Sequence, residues 1–256
     1  MTTQPLAGCT VSKSNALIRA SYRLTLAEQR VILACLAQVD SRKRMQNLNT
    51  LELQTEGLTI TAIEYAKLFE LEMHTAYEQL QDAADRLYNR TITVKKNDRG
   101  EKERYRWLQG EARADKGSGH IRLSFTMRLS EHITQLRGRF TSYQIDQVRH
   151  LRKAHSIRIF ELMMQWKETG LVRIKLDELK DMLETKYPLY ADVKRYLLKP
   201  ALDEIDKRTD YAIDLTLAPF VADTAIWTHK SDYTACQELA SLARLVEIEL
   251  IRTTSA

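Results

Sequence analysis

Apolar residues at helical spacing open the chain. Residues 14–39, SNALIRASYRLTLAEQRVILACLAQV, read as two helices broken near Ser21–Leu24. In the second, Leu26, Val31, Ile32, Leu33, Leu36 and Val39 form a thick apolar face behind Thr25 as its N-cap. Residues 1–13 carry no such pattern and are expected to fray, and the polar run 40–50 reads as a loop. Leu58 and Ile60 alternate as in a short strand. Thr61 followed by Glu64 is a capping box, predicting a helix to Phe69 and, after a turn, a second from about His74 to Tyr88. The stretch TITVKK-NDRG-EKERYRWLQ alternates on both sides of a turn, which is a β-hairpin, and HIRLSF adds a strand at 120–125. Two helices joined by a tight turn and followed by a hairpin make a winged helix.

A second set of elements follows Arg137–Gly138–Arg139. A helix is expected from Ser142, and another in SIRIFELMMQWKET, capped by Ser156 and stopped by Gly170. VRIKL reads as a strand, DELKDMLE as a helix, VKRYLLKPALDEIDKR as a longer helix and YAIDLTL as a strand; residues 233–251 read as a further helix. The order repeats that of the first half. The expected fold is therefore α+β: two tandem winged-helix domains related by pseudo-twofold symmetry, divided as 1–136 and 137–256.

Composition narrows the function classes. Of 256 residues, 39 are Lys or Arg and 34 Asp or Glu, a formal charge of +5. That is compatible with a nucleic-acid partner but becomes informative only where the excess is concentrated. Cys9, Cys35 and Cys236 form no CxxC, so neither a disulfide framework nor a zinc site is implied. The segment MTTQPLAGC lacks the pattern of a signal peptide, and no run approaches the length of a membrane span. His150 and His155 lie five apart, off the spacing of a helical metal pair. No phosphate-binding loop, nucleophile elbow, HExxH or histidine–hydrophobe–histidine motif occurs. The expectation is a cytoplasmic protein with no cofactor, no metal, no membrane and no catalytic activity.

Four stretches resemble the initiator (Rep) proteins of iteron-controlled plasmids: SNALIRASYRLTLAEQRVILACL, ITAIEYAKLFELEMHTAYEQLQDAADRLYNR, ITQLRGRFTSYQIDQVRHLRKAHSIRIFELMMQWKETG and VKRYLLKPALDEIDKRTDYAIDL. They span roughly residues 11–217 in the family's order; beyond Leu217 the resemblance fades. It implies two winged helices about a pseudo-twofold, and binding of direct repeats at a plasmid origin as a monomer. It further implies a homodimer that represses its own gene at an inverted repeat, with the first domain supplying the dimer contact and the second the stronger grip on DNA. The implied partners are origin DNA, a second copy of the chain, the host initiator, the replicative helicase and chaperones.

On this resemblance residues 193–208 are the second domain's recognition helix. Pro200 interrupts its apolar stripe, at a cost of about 3 kcal/mol in an ordinary helix interior, and a kink is expected there. Lys194, Arg195 and Lys199 precede the proline; Asp203, Glu204 and Asp206 follow it. This polarity opposes the helix macrodipole and suits a helix whose early turns enter a groove, although a solvated basic face is the alternative. Arg195 is the candidate for guanine readout, because its fork can bond O6 and N7 together. Lys194 and Lys199 are candidates for phosphate contact, and Arg208 for contact with the DNA. In the first domain Thr75 lies on the candidate reading helix, and the wing offers Lys95, Lys96, Arg99 and Lys102. Arg152, Lys153 and Arg158 form a third cluster that either anchors phosphates or is simply solvated. The rival functions are a transcriptional repressor of the same fold, a nicking enzyme and a protein-interaction module.

Overall fold

The computed structural model describes residues 6–39, 57–95, 101–110, 113–114, 119–134, 136, 138–219 and 244–252. Strand β1 (Thr10–Ser14) forms where fraying is expected. It buries Val11, Ser12 and Lys13, and Ser14 Oγ caps the short helix α1 (Asn15–Ile18) by accepting from Leu17 N. Helix α2 (Leu26–Gln38) begins at Thr25 with a reciprocal capping box to Glu28. The expected loop 40–50 lies outside the described residues. Strand β2 (Leu58–Thr61) leads into α3 (Ala62–Phe69), again through a capping box, Thr61 with Glu64. Gly57, just ahead of β2, has φ +68°, and a Cβ there would lie 2.8 Å from Leu123 O, so the close approach admits no side chain. Helix α4 (Met73–Leu87) follows a tight turn. The wing is the antiparallel pair β3 (Thr91–Lys95) and β4 (Lys102–Arg106). Strands β5 (Arg113–Ala114) and β6 (His120–Leu123) complete a second sheet in the order β2-β6-β5. Helix α5 (Met127–Thr134) closes this part.

The helix expected from Ser142 is instead strand β7 (Phe140–Gln144), antiparallel to β1. The reason is a period of two: Thr141 and Tyr143 point inward, and Ser142 Oγ meets Ser12 Oγ at 2.7 Å. The chain therefore passes residue 137 and returns to the sheet begun at residue 10. Helices α6 (Asp146–Arg149) and α7 (Ala154–Met164) follow, the latter buried on every side from Ser156 to Met164. Strand β8 (Leu171–Lys175) leads into α8 (Leu176–Leu183). Then a continuous helical segment runs through α9 (Tyr190–Val193), a π-turn (Lys194–Leu198) and α10 (Lys199–Arg208). Strand β9 (Tyr211–Pro219) pairs with β10 (Arg244–Arg252), giving the sheet order β8-β10-β9. Residues 244–252 are thus a strand and not part of the expected helix 233–251; the rest of that stretch lies outside the described residues. In RLVEIELIR the residues Val246, Ile248 and Leu250 alternate with Leu245, Glu247 and Glu249, and β-branched residues suit a central strand.

The internal repeat is concrete at residue level. In each half a strand feeds an eight-residue helix (α3, α8) that ends on a glutamate in the left-handed region, Glu70 at φ 53° and Glu184 at φ 45°. A longer helix and a strand follow in both. The fold is α+β with two winged-helix halves, and their buried side chains join in one hydrophobic core.

Candidate nucleic-acid interface

The segment 190–208 buries Val193, Leu197, Leu198, Ala201, Leu202 and Ile205 and packs against α7. Pro200 is accommodated by a change of winding, not by a break: Lys199 N–H donates to Lys194 O, five residues back, so the turn before the proline is a π-turn. The proline itself is the second residue of α10, directly after that wider turn.

Two contacts fix this helix against the start of α7. Glu204, expected on the exposed acidic end, is instead 8% exposed. It accepts from Arg152 N at 2.8 Å and Ser156 Oγ at 2.6 Å, so its carboxylate ties α10 to the chain entering α7 and to the first turn of that helix. Lys153 Nζ donates to Pro200 O at 2.7 Å. These bonds bring the exposed Arg152 and Lys153 to the same edge as the helix, while Arg208 reaches Glu204 at 3.7 Å.

The availability of the candidate cations differs sharply. Lys194, Arg195 and Lys199 are exposed, and among the described residues none of them is ion-paired. In the wing, Lys95 Nζ lies 3.2 Å from Glu178 and Lys102 Nζ 3.1 Å from Asp181, both acids on α8 of the second half. Arg19 also reaches Glu178, at 3.6 Å. These wing lysines are thus ion-paired to the other half and less available to DNA than the trio on the helix. Lys96 and Arg99 lie outside the described residues. Thr75 is exposed in the first turn of α4, but the solvent face of that helix carries Glu78, Asp82 and Asp85 against Arg86 and a histidine, a poor match for phosphates.

Arg158 corrects the sequence-based expectation. It is 2% exposed and cannot be a surface phosphate contact. Its Nη2 donates to Ala20 O at 2.6 Å and Met182 O at 3.1 Å, and its Cζ stands 3.6 Å from the centre of the Tyr22 ring. It joins the start of the first half to α8 of the second. The signal was present in SIRIFELMM: a run buried on all sides leaves a charge no solvent face. Glu161 in the same run accepts from Lys13 and Tyr143, both at 2.5 Å. Burial also holds His132 and His155 below the usual histidine range, His155 further lowered by Arg23 and Arg158. Burial raises the Cys35 thiol, which keeps it protonated.

Tandem winged helices with a basic helix in the second are the architecture these observations define. Residues 10–164 match the family model described as Initiator Replication protein, WH1, and residues 175–219 that described as Initiator Rep protein, WH2. The chain belongs to the initiator replication protein family. It is 25% identical over 229 residues to a replication initiation protein of Escherichia coli, covering 87% of this chain and 70% of that one. It is 26% identical over 215 residues to an uncharacterized 27.6 kDa protein of Escherichia coli, covering 80% and 89%. Among solved structures, the crystal structure of Pi initiator protein in complex with iteron DNA superposes with a TM-score of 0.72 at 19% identity, over 99% of this chain and 100% of that chain. That likeness establishes the fold of two winged helices.

Proposed function

We propose that this protein initiates plasmid replication by binding direct repeats at the origin, with the helix of residues 190–208 as the main reading element. The observation that carries the proposal is the trio Lys194, Arg195 and Lys199: exposed, free of ion pairs to any described residue, and held by Glu204 and Lys153 on a rigid support. Arg195 reads a guanine; Lys194, Lys199, Arg152, Lys153 and Arg208 hold phosphates. Thr75, Lys96 and Arg99 make the first half's lesser contacts. The first half also carries the homodimer contact, and the dimer represses the protein's own gene. Host initiator, helicase and chaperones act with it in the bacterial cytoplasm. Strand opening uses binding energy: bending several bound repeats strains an adjacent segment at a cost of a few kcal/mol, which contacts across the bound copies offset.

The test is a footprint and a salt titration on the DNA flanking the gene. Binding at several direct repeats with a steep fall in affinity with salt is expected. Arg195→Ala should weaken specific binding by about 1–3 kcal/mol and relax discrimination at one base pair. An unchanged footprint and affinity in that variant removes the helix from the interface. A nick in supercoiled plasmid with Mg²⁺ or Mn²⁺ would contradict the non-catalytic reading.

A further inference from the structure

We infer that Tyr196 is a specificity-determining residue that reads the 5-methyl group of a thymine neighbouring the guanine read by Arg195; this rests on the reading of 190–208 as the groove-facing helix. Exposed apolar side chains are ordinary when scattered singly. Tyr196 is not of that kind. It is 53% exposed on the reading helix, flanked by the exposed cations Lys194, Arg195 and Lys199. A second exposed tyrosine, Tyr187, stacks on it with ring centroids 5.6 Å apart and an interplanar angle of 26°. The Arg195 guanidinium carbon lies 5.3 Å from the Tyr196 ring centre.

Tyr187 is itself anchored. Its N–H donates to Thr185 Oγ1, and Lys180 Nζ holds the next carbonyl, Pro188 O, at 3.2 Å. The loop before the helix is thus built to back the ring. A ring already stacked on another loses less side-chain entropy on binding, which is how rigid aromatics serve recognition surfaces. The charge of the surrounding face selects the occupant, duplex DNA. Within its major groove, base edges offer hydrogen-bonding groups and a single apolar one, the C5-methyl of thymine. A fixed aromatic edge among cations is complementary to that group. The stacking of Arg195 on Tyr196 couples the two readouts.

The experiment uses the full chain and the tightest duplex it selects from a random-sequence library. Each thymine of that duplex is replaced in turn by deoxyuridine, which removes only the methyl. The wild-type chain should lose about fourfold in affinity at one thymine beside the guanine that Arg195→Ala ceases to discriminate, the equivalent of ~0.8 kcal/mol for one buried methyl. Tyr196→Phe should keep that loss, and Tyr196→Ala should bind thymine and uracil duplexes alike with an unaltered salt slope. Indifference of the wild-type chain to uracil at every position overturns the assignment without needing any variant. So does retained discrimination in Tyr196→Ala, or its loss in Tyr196→Phe, which would point to the hydroxyl. Failure of the wild-type chain to select any duplex would sink the initiator reading itself, and this assignment with it.

Discussion

Replacing Arg158 by methionine separates two roles for a cation on α7. The substitution roughly conserves volume, so the cavity penalty is small. What is lost are two charge-assisted hydrogen bonds, to Ala20 O and Met182 O, at about 1.5–3 kcal/mol each. The contact with the Tyr22 ring adds about 2 kcal/mol at a desolvated site. Against this, Arg158 keeps Nε and Nη1 buried without a hydrogen-bond partner, and removing them recovers about 1–3 kcal/mol. The balance is a destabilisation of about 2–7 kcal/mol. For a chain of this length, each kcal/mol corresponds to roughly 2–4 °C, so the thermal midpoint should fall by at least roughly 4 °C and by as much as roughly 28 °C. The salt dependence of DNA binding, measured on the fraction still folded at low temperature, should not change. A phosphate contact behaves in the opposite way: the midpoint would hold and the slope of log affinity against log salt would drop by about one. That pair of results would refute the assignment of Arg158 to the joint between the halves.

Three further outcomes are expected. Glu204→Ala leaves Arg152 N and Ser156 Oγ without their acceptor and should cost about 2 kcal/mol; a double-mutant cycle with Ser156→Ala that gives no coupling would show the bond contributes nothing. Glu178→Lys sets like charge beside Lys95 and Arg19; stability should move by less than about 1 kcal/mol, while the distance between fluorophores on the two halves broadens, and Lys95→Glu in the same chain should restore it. His132 and His155 have folded-state pKa values below their unfolded value of 6.5, so below that pH the unfolded chain binds more protons and stability must decline as pH falls. The thermal midpoint should therefore drop between pH 7 and pH 5, His132→Gln should flatten the curve, and an identical profile in that variant would exclude the residue.

Helices α2 and α3 and the wing were legible from the sequence because each announces itself locally: Thr25 with Glu28, Thr61 with Glu64, and alternation on both sides of a polar turn. The strands β1 and β7 were not, since they stabilise one another across 126 to 134 residues and neither is long enough to show its period against the helical pattern around it. For β10 the apolar residues fit both periods, and only pairing with β8 and β9 decides. Within the candidate site, exposure of Lys194, Arg195 and Lys199 followed from the buried stripe beneath them. The fates of Lys95, Lys102, Glu204 and Arg158 depended on partners far along the chain, which charge counting along one element does not reveal.

The π-turn over Lys194–Leu198 has a consequence for how this surface can change. A turn closed by a bond five residues back holds one residue more than its α-helical neighbours, so the residues after it sit about 100° behind where an unbroken α-helix would place them. The heading of Lys194 and Arg195 relative to the acidic rear at Asp203 and Asp206 is therefore a matter of phase, set by that one extra residue, while Leu202, Glu204 and Ile205 keep their seats. Specificity can be re-aimed in this way with the foundation untouched.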